Sequence, residues 1–279
     1  MSDRRLSARE AIALLTDDFT ELPTPPRDYA PDGPLSWHGY DISRARAAER
    51  TGEDESVVWG RALIGARTAR TASPTETEAI GTDTAVGVAP PGTSAEPQQR
   101  GEADAPPRLP TSTAAVLISF EFGFLGGSLG ERTGDRLEAA YTYAREHRLP
   151  VVALVATGGS RMQEGMRALT QLQRVARESA LTSEAGLPRI AVLRDPTTGG
   201  GWATLGAGAD IVLALPDAQV GFAGSRVRPP DADPTAYTAE SQVTAGSVDA
   251  VVHPDDLRDT LALWLSLLTA PSTTPAPPP

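Results

Sequence analysis

The stretch Pro150-Val-Val-Ala-Leu-Val-Ala-Thr-Gly-Gly-Ser-Arg-Met-Gln-Glu164 decides the fold. Its first seven residues form an unbroken apolar run rich in β-branched valine, which reads as a strand buried on both faces. Gly158–Gly159 break that strand. Beyond them Met162, Met166, Leu169, Leu172 and Ala176 recur at mostly three- and four-residue intervals. This stripe reads as the core face of a long helix ending near Gly186. The same order of strand, glycines and helix occurs on either side. Upstream, Val116–Phe122 is a short β-prone run, followed by Gly126-Gly-Ser-Leu-Gly130 and a helical stretch carrying Leu137, Ala140, Tyr141 and Ala144. Downstream, the strand Arg189–Leu193 leads into Asp195-Pro-Thr-Thr-Gly-Gly-Gly201 and a short helix, Trp202–Ala207. Ile211–Leu215, Gln219–Phe222 and Val248–Val252 read as further strands. Pro254 opens a last helix with Leu257, Leu261, Trp264, Leu265 and Leu268 on its apolar face. Alternation of this kind gives an α/β fold with a largely parallel sheet, whose ligands sit beyond the carboxyl ends of the strands. The three glycine pairs stand at those ends.

Ahead of this block, Ser7 and Glu10 have capping-box spacing before Ala11-Ile-Ala-Leu-Leu15, a helix start. A helix around Ile42–Glu49 and a strand Ser56–Ile64 follow. Seventeen of the 25 prolines fall in Pro23–Pro34, Pro74–Pro110 and Pro271–Pro279. The Thr-, Ala-, Pro- and Glu-rich stretch after Ala66 has almost no large apolar residue and cannot offset its ordering entropy. The expected organisation is therefore an N-terminal helix and Pro-rich linker over 1–35, and a single domain built from 36–66 and 114–269. A disordered insertion over 67–113 interrupts the strand leading into the core, and a disordered tail covers 270–279.

Composition narrows the chemistry. The 279 residues carry a formal net charge of −11, and all 25 basic residues are arginine. Lys, Cys and Asn are absent, and there are three scattered histidines, His38, His147 and His253. This excludes disulfides, thiolate nucleophiles, iron–sulfur clusters, Schiff bases and a P-loop lysine, and no metal site is expected. An acidic chain is a poor partner for nucleic acid or an anionic membrane surface. No apolar run reaches the ~18–20 residues of a spanning helix. Met1–Glu10 lacks the apolar core of a secretory signal, so a cytoplasmic protein is expected.

What remains for chemistry is the backbone. A glycine pair opening a helix presents N–H groups with no side chain in the way, and such amides bind phosphate or an oxygen that becomes negative during reaction. Glycine at a strand–helix junction also has an ordinary role in supplying a positive φ or close packing. None of the pairs fits the dinucleotide G-x-G-x-x-G fingerprint.

Four segments in this order resemble one family. Phe120-Glu-Phe-Gly-Phe-Leu-Gly-Gly-Ser-Leu-Gly130 is similar to the start of the catalytic core in the beta subunit of bacterial acetyl-CoA carboxylase carboxyltransferase. Ala156-Thr-Gly-Gly-Ser-Arg-Met-Gln-Glu164 resembles its S-G-G-x-R-M-Q-E segment, with Thr157 for Ser. Asp195-Pro-Thr-Thr-Gly-Gly200 and Val220-Gly-Phe-Ala-Gly-Ser-Arg226 resemble its D-P-T-x-G-G and I-G-F-A-G-x-R segments. The likeness extends more weakly over Ser36–Ile64 and Ala245–Leu268. It implies a crotonase-like ββα-superhelix and transfer of a carboxyl group from carboxybiotin to acetyl-CoA or a related acyl-CoA, giving malonyl-CoA. It also implies an oxyanion hole with Gly158 and Gly159 supplying one amide donor and Gly199 and Gly200 the other. Gly126, Gly127 and Ser128 would shape the CoA-binding wall, Phe222, Ala223 and Gly224 the acyl-pocket rim, and Arg161 and Arg226 would meet CoA phosphates or carboxylates. Met162 and Met166 read as core, and Glu164 as a carboxylate in its helix's first turn.

The resemblance implies no covalently bound cofactor. Carboxybiotin would arrive on a biotin carboxyl carrier protein, a CoA thioester would be the substrate, and an alpha-type carboxyltransferase subunit would complete a hetero-oligomer. The chain departs from the family in lacking the four-Cys zinc ribbon, in the insertion, and in the Pro- and Asp-rich segment after Arg226. Two other readings stay open: a malonyl-thioester decarboxylase beta-type subunit, and a non-catalytic assembly subunit.

Overall fold

Period-two alternation divides the decisive strand between two cores. Val151, Ala153 and Val155 enter one, and Val152 and Leu154 the other. The computed structural model describes residues 5–67, 112–224 and 227–270. Its eight-stranded sheet runs β1 (Asp18–Glu21), β2 (Val57–Ile64), β3 (Thr113–Phe120), β4 (Val151–Thr157), β5 (Arg189–Thr198), β6 (Ile211–Ala214) and β8 (Ala250–Val251). The short β7 (Val220–Gly221) pairs with the far end of β5. The β1–β2 and β2–β3 pairs are antiparallel, and every later pair is parallel. Helices α1 (Ala8–Leu15) and α7 (Pro254–Thr269) cover one face, burying Ile12, Leu15, Leu257, Leu261 and Leu265. On the other face α3 (Glu131–Glu146) packs Leu137, Ala140, Tyr141 and Ala144 against the sheet. Helix α4 (Met166–Glu184) lies beside α3, and α2 (Tyr40–Thr51), α5 (Gly199–Gly201) and α6 (Ala239–Thr244) are shorter. Among the described residues no helix is long and apolar enough to cross a membrane.

The local signals work as expected at α1. Glu10 N donates to Ser7 Oγ at 3.2 Å and Ser7 N to Glu10 Oε2 at 2.9 Å, which closes the capping box. Glu121 accepts from Ala8 N at 2.8 Å, tying the helix to the end of β3.

Three expectations change. The stripe Met162–Met166–Leu169 is not core: Met162 is 79% exposed, Met166 72% and Leu169 45%. Gly165, with φ 54° and ψ −132°, separates the 3-10 turn Met162–Glu164 from α4, so the two methionines do not share one helix. The buried face of α4 is instead Ala168, Gln171, Val175, Glu178, Ser179 and Thr182, its polar members satisfied by hydrogen bonds and by an Arg145–Glu178 ion pair. Second, the strand after Arg189 runs on through Asp195-Pro-Thr-Thr198, because Thr197 N donates to Gln219 O at 2.8 Å and extends the ladder. Third, the insertion does not interrupt a strand. It joins β2 to β3, antiparallel partners in which Ile64 faces Thr113. Its expected end at 113 is also late, since β3 begins at Thr113. Residues 68–111 and 271–279, which hold most of the expected insertion and tail, lie outside the described residues.

Candidate active site

Parallel pairing of β4 with β5 carries both glycine pairs to one edge of the sheet. At the strand ends the threonines lock this arrangement: Thr197 Oγ1 donates to Val155 O at 2.8 Å and Thr198 Oγ1 to Thr157 O at 3.2 Å. Gly158–Gly159 and Gly199–Gly200 then meet backbone to backbone. A Cβ on Gly199 would lie 3.2 Å from Gly159 Cα, and one on Gly159 would lie 3.5 Å from Gly199 Cα. Both residues also have positive φ, 102° at Gly159 and 64° at Gly199, which an L side chain resists. Glycine is needed here for conformation and for proximity at once.

The amides are not equivalent. Gly158 N donates to Gly126 O at 2.8 Å, and Gly159 N to Thr157 Oγ1 at 3.0 Å. Gly199 and Gly200 open α5, where the first amides of a helix have no acceptor within it. With Thr197 N on Gln219 O, the parallel Thr198–Gly221 pairing directs Gly199 N at Gly221 O, so that amide continues the β5–β7 ladder. Gly200 N has no turn, loop or side-chain acceptor among the described residues. The expectation that both pairs supply donors therefore narrows to Gly200, with Gly158–Gly159 as the facing wall. On the far side of the turn, a Cβ on Gly200 would run into Leu172 of α4.

Gly126, Gly127 and Ser128 stand directly behind this wall. Leu129 N donates to Gly159 O at 2.9 Å and Arg161 N to Leu129 O at 2.8 Å, so the loop is laced to both sides of the pair. Gly127 has φ 60°, and a Cβ there would overlap the Ala156 carbonyl, whereas Gly126 faces open space. Phe222, Ala223 and Gly224 follow β7 along the other flank. Gly221 pairs with Thr198, and a Cβ on Gly224 would sit 3.4 Å from Thr198 Oγ1. Phe222 is 72% exposed, so it is a rim residue and not core. Arg228 holds this loop by donating from Nε to Ala223 O at 2.9 Å while its guanidinium stacks 3.6 Å above Tyr237. Beyond the rim lies a groove of about 710 Å³ walled by Trp202, Phe222, Ala223 and Tyr237.

Arg161 does not face this site. Its side chain is 0% exposed and grips Glu55, with Nη2–Oε1 at 2.5 Å and Nη1–Oε2 at 3.0 Å. The same guanidinium donates to Ser128 O, Ser128 Oγ, Ser56 Oγ, Thr133 Oγ1 and Tyr40 Oη. A group so enclosed cannot reach a phosphate, and its substrate-binding role is withdrawn. Burial alone would raise the Glu55 carboxyl, but the charge and hydrogen bonds of Arg161 outweigh it and hold Glu55 down to about 2. Glu164 also moves. It accepts Tyr40 Oη at 2.5 Å and Glu131 N at 2.6 Å, so it serves the start of α3 and not its own helix. Arg226 lies outside the described residues. Glu55 and Tyr40 carried no signal in the sequence, since Glu53-Asp54-Glu55 reads as a solvated acidic run.

Among the described residues no group of three or more His, Cys, Asp or Glu side chains could hold a metal ion. Large apolar side chains are left exposed in the segments that flank the glycines in sequence: Met162, Met166 and Leu169 after the first pair, and Phe222 after β7.

The carboxyl transferase domain model matches residues 113–251, the segment that contains every one of these glycines. The chain is 37% identical over 223 residues to the acetyl-coenzyme A carboxylase carboxyl transferase subunit beta of Leuconostoc citreum, covering 80% of this chain and 62% of that protein. It is 41% identical over 157 residues to the subunit of the same name in Acinetobacter baumannii, covering 55% and 53%. The chain thus spans between half and two thirds of the length of these relatives. In fold it matches the transcarboxylase 12S core (TM-score 0.63, 17% identity, 94% of this chain and 41% of that one). It also matches a Pseudomonas malonate decarboxylase hetero-dimer (TM-score 0.60, 20% identity, 94% and 86%). The chain belongs to the carboxyl transferase domain family, and its likeness within that family is to acetyl-CoA carboxylase beta subunits.

Proposed function

We propose that the chain is the acyl-CoA-binding half of a biotin-dependent carboxyltransferase, acting on acetyl-CoA or a related acyl-CoA. The observation that carries this reading is the meeting of the two glycine pairs, with the amide of Gly200 at the start of α5 free of any turn, loop or side-chain acceptor among the described residues. Withdrawing a proton from the carbon next to a thioester leaves negative charge on the thioester oxygen. Preorganised amides stabilise that charge without proton transfer, and one such donor is worth about 10²–10³ in rate. Because neither pair carries a side chain, nothing projects over the open side of the turn, where the oxygen would approach the Gly200 amide. Phe222, Ala223 and Gly224 would border the acyl group, and the groove beyond them has room for the pantetheine arm.

Carboxybiotin supplies the carboxyl group and is the carrier protein's to deliver. This chain does not fit it: the turn offers one open amide, and past it the surface is the exposed edge Met162–Met166. The wall that would hold biotin is assigned to an alpha-type carboxyltransferase half, and the apolar edge next to the glycines is the surface we assign to that half. Large apolar side chains left exposed beside a reactive site are characteristic of a protein interface.

Reconstitution with a candidate alpha-type half tests the reading. Malonyl-CoA-dependent carboxylation of free biotin is expected from the pair and not from either chain alone. Release of CO₂ from malonyl-CoA with no biotin carboxylated would transfer the reading to a decarboxylase. Neither reaction in any pairing would leave an assembly subunit.

A further inference from the structure

Buried charge is costly, and a buried ion pair is often no more stabilising than apolar residues of the same volume. The Arg161–Glu55 pair, 0% and 1% exposed, therefore needs a reason other than stability. Its contacts supply one. Arg161 is two residues past Gly159, and its guanidinium fastens the carbonyl and hydroxyl of Ser128. Ser128 sits in the loop whose neighbours bond both members of the first glycine pair: Gly126 O receives Gly158 N, and Leu129 N donates to Gly159 O. Glu55, just ahead of β2, fixes the guanidinium in turn, and Ser56 and Thr133 close the cluster at 2.9 Å from each other. The pair thus pins the wall that faces Gly199 to the rigid start of β2 and to the first turn of α3.

Resting on the oxyanion reading above, we propose that Arg161 and Glu55 are positioning residues, which set the spacing of the Gly158–Gly159 wall from the Gly199–Gly200 turn and the amide of Gly200. Neither touches substrate. Their effect passes through Ser128 and the Gly126–Leu129 loop, and misplacement of a reactive site by about 1 Å costs about 10²-fold in rate.

The test is the double variant Glu55→Leu/Arg161→Met in the full chain with its partner half. The surrounding hydroxyls keep other partners, since Tyr40 still donates to Glu164 and Ser56 still meets Ser128 O and Thr133. Glu164 Oε1 lies 3.6 Å from Arg161 Nη1 and would be left a buried carboxylate without its cation, so Glu164→Gln accompanies the double variant. With all three charges neutralised, the melting temperature is expected to stay near that of the wild type. The expected result is kcat lowered about 10²-fold with the KM for acyl-CoA changed less than about threefold, the pattern of a defect confined to the transition state. Hydrogen exchange at the Gly158 amide should quicken while that of Leu213 in β6 does not. Wild-type kcat together with wild-type exchange at Gly158 would overturn the proposal. Arg161→Lys is read by the same two measurements should the double variant not fold, because a point charge cannot reproduce the forked guanidinium contacts. The exchange readout needs no turnover, so absence of any carboxyl transfer in the wild-type pair would remove the function reading and leave this proposal still decided at Gly158.

Discussion

Alanine at Gly199 is expected to lower carboxyl transfer by about 10²–10³-fold, because it displaces the adjoining Gly200 amide and a lost oxyanion donor costs about that much. Two local facts produce that result. The φ of 64° is a left-handed conformation that costs an L residue about 1–2 kcal/mol, so the amide is driven to rotate. The new methyl carbon would stand 3.2 Å from Gly159 Cα, wedging the two pairs apart and displacing the neighbouring Gly200 amide. The stability cost is modest by comparison, about 2–8 °C in melting temperature for a domain of this size. Gly186→Ala is the control. It has φ 70° with open space around it, so it suffers the same backbone strain far from the site and should leave kcat unchanged. Steady-state kinetics of the reconstituted pair decide the matter. A rate within about tenfold of wild type at Gly199→Ala would contradict the donor assignment, because a lost donor costs more than that.

Aspartate at both Met162 and Met166 is expected to weaken binding of the alpha-type half by about 10²–10³-fold, taking each as an interface anchor worth about 2 kcal/mol. The two side chains are 79% and 72% exposed, so the isolated chain should keep its melting temperature; surface changes of this kind stay within about 0.5 kcal/mol. Equilibrium binding to the alpha-type half measures the effect. Unchanged affinity would mean that the partner docks elsewhere and that the apolar edge has another occupant.

How far the sequence could be read depends on the range of the forces involved. Local rules served well where the determinant was local: the capping box at Ser7, the alternating burial of Val151–Val155, and the 3.6-residue face of α7. They served badly at Met162–Leu169, where apolar spacing suggested a core stripe. A single glycine, Gly165, in an unusual conformation delays the start of that helix to Met166, and α4 buries glutamate and threonine against Arg145 of α3, glutamine against its own Arg174 and serine against Arg189 of β5. Burial of a polar face is a tertiary event with no local pattern. The same holds for Arg161, whose partner lies 106 positions away and whose confinement removes it from any ligand. The glycine pairs were legible as sites of close backbone approach. Which of their amides are open was not, since Gly158 loses its N–H to a loop that only the fold brings near.

The most direct test looks at those amides. With the chain labelled at glycine with ¹⁵N and assembled with its partner half, a stable acyl-CoA analogue that presents a carbonyl oxygen can be titrated while amide resonances are followed. The resonance of Gly200 should shift downfield as its N–H gains an acceptor, with Gly158 still bonded to Gly126 and little changed. Saturation by the analogue with no movement at Gly200, or with the shifts confined to Gly158 and Gly159, would contradict the account.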